Sequence, residues 1–311
     1  MRNYSLDTLK LICAIFVIFI HTPQPEVWAN YITPLIRCAV PIFFMISGYF
    51  TYGKKDLKIT IQRRIKQLLT IFSVVFILYF LFSLIANGKD SLQHLSILLS
   101  YNFILFNSVP YSMHLWYIIA YIYVLLIILL VDHFNLYKWL IFITPLLFLT
   151  ALIMGKYSEI ILGYCFPTNY TRNFLFTGLP FFTLGMIIKK AKQLPNIYVA
   201  GILCIIFYIS GIIEVVCVKN LGDLFASTIF LSLAIFILFI NIKQMKDNVF
   251  SKAGREKSLY IYLLHFVIAT AITLLSNKYT HLPYFSALTT LGVTLILIYI
   301  LRRLKIIGKI I

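Results

Sequence analysis

Five ionisable side chains lie in or beside long apolar segments, where a charged group is expensive. They are His21, Arg37, His114, Arg172 and Glu214. An ionisable residue inside a membrane span costs at least about 2.5–3.5 kcal/mol on insertion scales, so each is a candidate for function. Histidine titrates near neutral pH and suits proton transfer or nucleophilic work, while arginine stays charged and can stabilise an oxyanion. These residue types indicate proton or group transfer.

The first apolar segment carries a second cation, Lys10, eleven residues before His21. Eleven helical residues rise about 16 Å and turn ~20° beyond three full turns, so both side chains share one face. Asp7 precedes Lys10 by three residues and is predicted to pair with it. One helix face would therefore present a cation at one end and an imidazole at the other.

The elements that must position these residues are membrane helices. The chain has 311 residues, of which 61% are hydrophobic and only 12% charged, whereas soluble domains carry about 25% charged residues. Runs of about 20 apolar residues can each cross a bilayer. The sequence predicts an all-α, polytopic bundle forming one membrane domain over 1–311. Its ten segments are 6–22, 31–53, 68–86, 114–131, 138–154, 171–188, 196–216, 222–242, 258–277 and 283–301.

The distribution of basic residues predicts the orientation. The chain has 27 Lys and Arg against 10 Asp and Glu, and short cytoplasmic loops are enriched in Lys and Arg. An N-in, C-in arrangement leaves six basic residues in the outer half, namely Arg37, Lys89, Lys156, Arg172, Lys219 and Lys278. The five ionisable residues above would then converge on the outer half. Residues 91–106 carry His94 and Asn102, and we interpret them as an interfacial or re-entrant piece.

Several features have a second interpretation. The basic stretch 54–66 can bind anionic lipid headgroups or an anionic cofactor. Trp116 and Tyr117 fit an aromatic belt as well as a substrate platform. His265, predicted nearer the cytoplasmic half than His21, can be a hydrogen-bonding core residue. The five cysteines form no CxxC pair, and we expect neither a metal site, a nucleic-acid partner nor a cleaved signal peptide.

Four groups of residues, in this order along nearly the whole chain, resemble the acyltransferase-3 family of polytopic membrane acyltransferases. They are 6–10 followed by His21; Arg37 with Pro41 and 43–49; 114–117; and 260–265. The stretch 43–49 is also similar to the membrane domain of vancomycin-resistance serine racemases, a branch of that family. The family has an arginine where this chain has Lys10, and lysine lacks the bidentate fork for a phosphate.

The resemblance implies transfer of an acyl group, usually acetyl with acetyl-CoA as co-substrate, to a hydroxyl of a glycan or lipid-linked saccharide at the outer face. His21 would act as general base or carry the acetyl group. The predicted site residues are catalytic His21, Arg37 and Arg172; cofactor-binding Lys10, Arg63 and Arg64; and substrate-binding His114, Trp116, Tyr117 and Glu214. We expect a multi-pass protein of a bacterial inner membrane, surrounded by its lipids.

Two other functions fit the same pattern. Polar residues within membrane spans suit a transporter or exporter of a small polar solute, such as an amino acid, or of a saccharide. A structural partner of a glycan synthase would need no chemistry of its own. The sequence lacks Walker A, HExxH and G-x-S-x-G motifs, so ATP-driven transport and hydrolysis by those devices are not supported.

Overall fold

A computed structural model describes residues 3–218, 223–242, 245–276 and 285–305, without the side chains of 86, 87 and 274–276. Within these ranges the chain is helical and contains no β-strand. Five basic residues used in the orientation argument, Arg2, Lys219, Lys243, Lys278 and Lys309, lie outside the described residues.

The described ranges contain thirteen α-helices. In chain order they are α1 (Tyr4–Ile20), α2 (Glu26–Ile36), α3 (Ala39–Thr51), α4 (Leu57–Asn87), α5 (Tyr101–Phe106), α6 (Trp116–His133), α7 (Tyr137–Met154), α8 (Ser158–Leu162), α9 (Leu179–Lys190), α10 (Ile197–Cys217), α11 (Ala226–Asn241), α12 (Val249–Ser276) and α13 (Ser286–Arg303). A 3-10 helix, Gly88–Leu99, separates α4 from α5, and a π-helical turn, Phe174–Gly178, precedes α9.

The helices fall into two compact units. Among the described residues, unit 1 contains 3–43, 192–218 and those from Phe225 onward, while unit 2 contains 44–191 with Asp223 and Leu224. The sequence prediction of one membrane domain over 1–311 stays a prediction.

In unit 1, helices α1, α12 and α13 enclose an apolar core. Ala14 and Ile18 of α1 are fully buried against Ile261 of α12 and Ile298 of α13. Gly254 of α12 lies so close to the backbone carbonyl of Asp7 that a Cβ atom at this position would overlap it. This contact near the start of both helices fixes their register, and the two helices run in the same direction.

In unit 2, helices α3 and α9 approach each other through two glycines. A Cβ on Gly48 would overlap the carbonyl oxygen of Phe182, and one on Gly185 would overlap that of Met45. The backbones of the two helices therefore approach closely at both glycines. Small residues allow such contacts in membrane bundles.

Six described helical segments are long and apolar enough to cross a membrane. They are Glu26–Thr51, Leu57–Ile85, Met113–His133, Tyr137–Met154, Ile197–Cys217 and Ser286–Arg303. A shorter apolar helix covers Ala226–Asn241. The chain is thus an all-helical protein with several membrane-spanning helices.

Two predicted segments are interrupted by proline. The predicted helix 31–53 breaks at Arg37 and Cys38, between α2 and α3. Pro41 explains the break, because it has no N–H for the carbonyl of Arg37 and its ring crowds that carbonyl. In the same way Pro180 follows Phe176 by four residues, and the predicted helix 171–188 begins instead with the π-helical turn.

The regions on either side of the predicted segment 68–86 also differ from expectation. Helix α4 begins at Leu57, eleven residues earlier than the apolar run, because Lys, Arg and Gln have good helix propensity. Residues 91–106 form most of the 3-10 helix and the six-residue α5, so no long helix covers them. Their interfacial placement stays a prediction.

Candidate functional site

A pair of histidines in unit 1 is the central feature of the candidate site. His21 follows the last residue of α1, and its backbone N–H donates to the carbonyl of Ile18 at 3.0 Å. The imidazole ring of His21 lies 5.3 Å, centroid to centroid, from that of His265 on α12, with the planes tilted by 43°. The ring of Phe266 meets His21 edge-on, also at 5.3 Å.

His265 is fully buried and its protonation pattern is set by its own helix. Its Nδ1 atom lies 3.0 Å from the carbonyl oxygen of Ile261 and 2.8 Å from that of Tyr262. Carbonyl oxygens only accept, so Nδ1 carries the proton and Nε2 of the neutral ring keeps its lone pair. A buried imidazole with a fixed acceptor nitrogen thus lies beside His21.

The sequence placed His265 nearer the cytoplasmic half, whereas the structure puts its ring beside that of His21, directly after the end of α1. The two rings are in contact, so they lie at the same level. The register set by Gly254 and Asp7 explains the difference, because α12 begins at Val249, nine residues before the predicted span.

Lys10 forms an ion pair in the second turn of α1. Its Nζ donates to the Oδ1 of Asp7 at 2.9 Å, which confirms the predicted pairing. The Asp7 side chain is buried beneath α12 while that of Lys10 is 29% exposed. The Lys10 ammonium is therefore partly neutralised and still accessible.

Two more predicted residues of unit 1 lie at helix ends. Arg37 ends α2, its backbone N–H donates to the carbonyl of Thr33 at 3.1 Å, and its Nε is buried. The Glu214 carboxylate accepts from the backbone N–H groups of Ala226 and Ser227 at 2.8 and 2.9 Å. Glu214 thus caps α11, where a negative charge is favoured.

In unit 2, Arg172 forms an ion pair that the sequence did not predict. Its guanidinium donates to the Oδ2 of Asp223 at 3.2 Å. The neighbouring Asn173 accepts at Oδ1 from the N–H groups of Leu175 and Phe176, which starts the π-helical turn. Sequence spacing does not reveal a partner 51 residues away.

The predicted substrate-binding residues at the start of α6 are held in place by contacts with neighbouring side chains. His114 is buried, its Nδ1 lies 2.6 Å from the Oγ of Ser112, and its ring meets Tyr79 of α4 edge-on at 5.3 Å. Trp116 is buried, and the ring of Tyr117 lies 4.7 Å from Phe44. These contacts hold the motif in one conformation.

The predicted cofactor-binding arginines lie on the basic first turns of α4. Arg63 and Arg64 are exposed, and the Arg64 guanidinium donates to the Gln67 side chain at 3.4 Å. Lys66, two residues after Arg64, lines an open groove of about 700 Å³ between α4 and α6. A phosphate can reach this end of the helix from solvent.

The predicted site residues are therefore divided between the units. Four lie in unit 1, namely Lys10, His21, Arg37 and Glu214. Six lie in unit 2, namely Arg63, Arg64, His114, Trp116, Tyr117 and Arg172. Their convergence on one site stays a prediction. Sequence reasoning gave no catalytic role to His265. Within the described ranges no group of three or more His, Cys, Asp or Glu is placed to hold a metal ion.

Comparison with known proteins places the chain among acyltransferases. Two curated relatives, an amino-acid racemase from Enterococcus faecalis and a serine/alanine racemase from Enterococcus gallinarum, are each 26% identical over 89% of this chain. The chain spans 42% of the length of either relative. No solved structure matches. The Acyl_transf_3 family model, an acyltransferase domain, matches residues 3–303, so the chain belongs to this family of membrane acyltransferases.

Proposed function

We propose that the protein moves an acetyl group from cytoplasmic acetyl-CoA to a hydroxyl of a cell-surface glycan or lipid-linked saccharide. The observation that carries the proposal is the contact between His21 and His265 in a chain of an acyltransferase family. An imidazole at a helix end, held against a second, buried imidazole, suits the abstraction of a hydroxyl proton.

In the proposed step His21 takes the proton of the acceptor hydroxyl while that oxygen attacks the thioester carbonyl. The tetrahedral intermediate then expels the CoA thiolate, which recovers the proton from the His21 imidazolium, so an ester and a free thiol leave. The carbonyl end of α1 stabilises the imidazolium between these events. Arg37 or Arg172 would stabilise the oxyanion or orient the sugar.

His265 is a positioning residue in this proposal, because it acts through His21 rather than on the substrate. The ring centroids lie 5.3 Å apart, so rotation of an imidazole to an edge-to-edge arrangement would bring a nitrogen of each ring within hydrogen-bond range, about 3 Å. The Nε2 of His265 would accept from His21 and leave the other His21 nitrogen directed at the acceptor. A base oriented by a third group is the usual arrangement for nucleophile activation.

The proposal includes about ten membrane crossings with both termini in the cytoplasm, in a bacterial inner membrane. The basic first turns of α4, with Arg63 and Arg64, and the accessible Lys10 would face the donor side and attract the CoA phosphates. Alkaline phosphatase fused after residue 55 should be inactive and fused after residue 107 active. Activity at residue 55 would reverse the orientation.

Mass spectrometry of cell-surface glycans tests the function directly. A strain that expresses the protein should carry ester-linked acetyl groups that a strain without it lacks, and expression of His21→Ala should not restore them. Restoration by His21→Ala would contradict the proposed role of the histidine. Identical glycans in both strains would contradict the acceptor class.

Transport of a small polar solute is the second candidate function, and the names of the two racemase relatives indicate an amino acid such as serine as the solute to test. Uptake of labelled serine into proteoliposomes that contain no CoA separates the two functions. We expect no uptake above empty vesicles. Saturable uptake that His21→Ala leaves unchanged would favour transport.

A further inference from the structure

Unit 2 contains a cavity that none of the predicted site residues lines. Its volume is about 330 Å³, and it lies between the C-terminal turns of α4, the 3-10 helix and the turn before α6. Most of its wall residues are aromatic or bear a hydroxyl, namely Tyr79, Phe82, Ser83, His94 and Tyr111, and the others are Ile97 and Pro110. The cavity touches the predicted site indirectly, since the Tyr79 ring also packs on His114.

The wall formed by Tyr111 is held in an uncommon conformation. Tyr111 has a φ of +66°, which is rare for a bulky residue. Its hydroxyl donates to the carbonyl of Ser91 at 2.6 Å, and its ring packs on Phe76 and Phe80 of α4 at 5.7 and 5.4 Å. Such strain persists where surrounding contacts enforce it and is frequent at ligand sites.

Hydrogen bonds between serines join α4 to the 3-10 helix that forms part of the cavity wall. The Oγ atoms of Ser83 and Ser91 lie 2.9 Å apart, and Ser91 also donates to the Ser83 carbonyl at 2.8 Å. These bonds hold the 3-10 helix against α4. Desolvation raises the pKa of the Tyr111 hydroxyl above its ordinary value, so this group stays a neutral donor.

The chemistry of the walls selects a neutral ligand. Among the described residues that line the cavity there is no Asp, Glu, Lys or Arg. A phosphate or a zwitterionic amino acid would lose its hydration without gaining a counter-charge. A sugar ring instead stacks its C–H face on aromatic rings and exchanges hydrogen bonds with imidazole and hydroxyl groups. The volume lies near the lower end of small-molecule pockets, which suits one or two rings.

We propose that this cavity binds a neutral sugar ring of the saccharide acceptor, whether or not that ring is the one acylated. The assignment to an acceptor rests on the proposed function, whereas sugar binding does not require acyl transfer. In this proposal the 3-10 helix Gly88–Leu99 forms one wall of a glycan site.

Saturation-transfer NMR on the full chain tests the proposal. The protein is held in nanodiscs, because detergents with sugar headgroups would occupy the site, and the probes are N-acetylglucosamine, glucose and serine. We expect saturation of the sugar ring protons and none of serine. His94→Ala, at an exposed position, should reduce the sugar signal at least threefold, and Ile97→Trp, which fills the cavity, should abolish it.

His133→Ala is the matched control, because it removes another exposed histidine of unit 2 at the far end of α6. It should leave the sugar signal unchanged. Saturation of serine alone or of no probe would overturn the proposal. So would a sugar signal of wild-type strength in both His94→Ala and Ile97→Trp. Site-dependent sugar binding by a protein that transfers no acetyl group would support the cavity and contradict the proposed function alone.

Discussion

The histidine pair of unit 1 and the cavity of unit 2 are built from different kinds of structure. His21 and His265 lie on or directly after regular helices whose register is set by the contact of Gly254 with Asp7. The cavity is walled by a 3-10 helix and by Tyr111 at positive φ. A reactive group needs rigid support, whereas ligand sites are commonly formed by irregular segments on a rigid scaffold.

Gly254→Ala should have the largest effect of the variants predicted, because the added methyl group separates the helices that position the histidine pair. The added Cβ overlaps the Asp7 carbonyl, and overpacking of this kind typically costs about 1–3 kcal/mol. Thermal unfolding in detergent should show a lowered Tm. Gly201→Ala in α10 is the control, because nothing lies within 4 Å of the added atom and Ala favours a helix. Equal Tm values for the two variants would argue against the close contact.

His265→Leu should lower kcat about tenfold, equivalent to about 1.4 kcal/mol, with little change in KM. In the proposed mechanism its loss removes the acceptor that would orient His21, but no contact to substrate. His265→Gln retains an acceptor oxygen and should recover part of the rate. The pH profile of kcat should change in the Leu variant, which a purely structural residue would not cause. Wild-type kcat in both variants would remove His265 from the site.

Tyr111→Phe tests whether the wall of the cavity depends on one hydrogen bond. The change removes the donor to the Ser91 carbonyl and should cost about 0.5–1.5 kcal/mol. The expected result is weaker sugar binding in the NMR experiment. Tyr101→Phe, at an exposed position, serves as the control. Equal sugar binding by both variants would show that the bond does not shape the cavity.

Lys10→Arg should have the smallest effect. Arginine retains the pairing with Asp7 and adds a bidentate contact for a phosphate, so the KM for acetyl-CoA should fall by about two- to threefold. Lys10→Gln removes the cation and should raise this KM. An unaltered KM in both variants would place the phosphates elsewhere.

Much of the fold followed from the sequence because hydropathy decides which segments are helices. Segments such as 138–154 and 196–216 agree with α7 and α10 to within one residue. The break at Arg37 was harder to predict, because Pro41 lies four residues after the site that it disrupts. The 3-10 helix has no periodicity that distinguishes it from a weak span.

The candidate site was predicted one helix at a time. The spacing of Asp7 and Lys10 predicted their ion pair, and the apolar run before His21 predicted α1. Neither predicted His265, because contacts between helices depend on register, and the register depends on one glycine far from the histidines. The conformation of Tyr111 likewise follows from tertiary contacts rather than from residue type.

Acetyl transfer by purified protein tests the central claim most directly. Proteoliposomes receive acetyl-labelled acetyl-CoA and a saccharide extract of the native envelope, and both labelled ester and free CoA thiol are measured. Wild-type protein and His133→Ala should produce them in equal amounts, while His21→Ala, with an unaltered Tm, should be slower by about 100-fold or more. Equal rates for wild type and His21→Ala would contradict a catalytic role for His21.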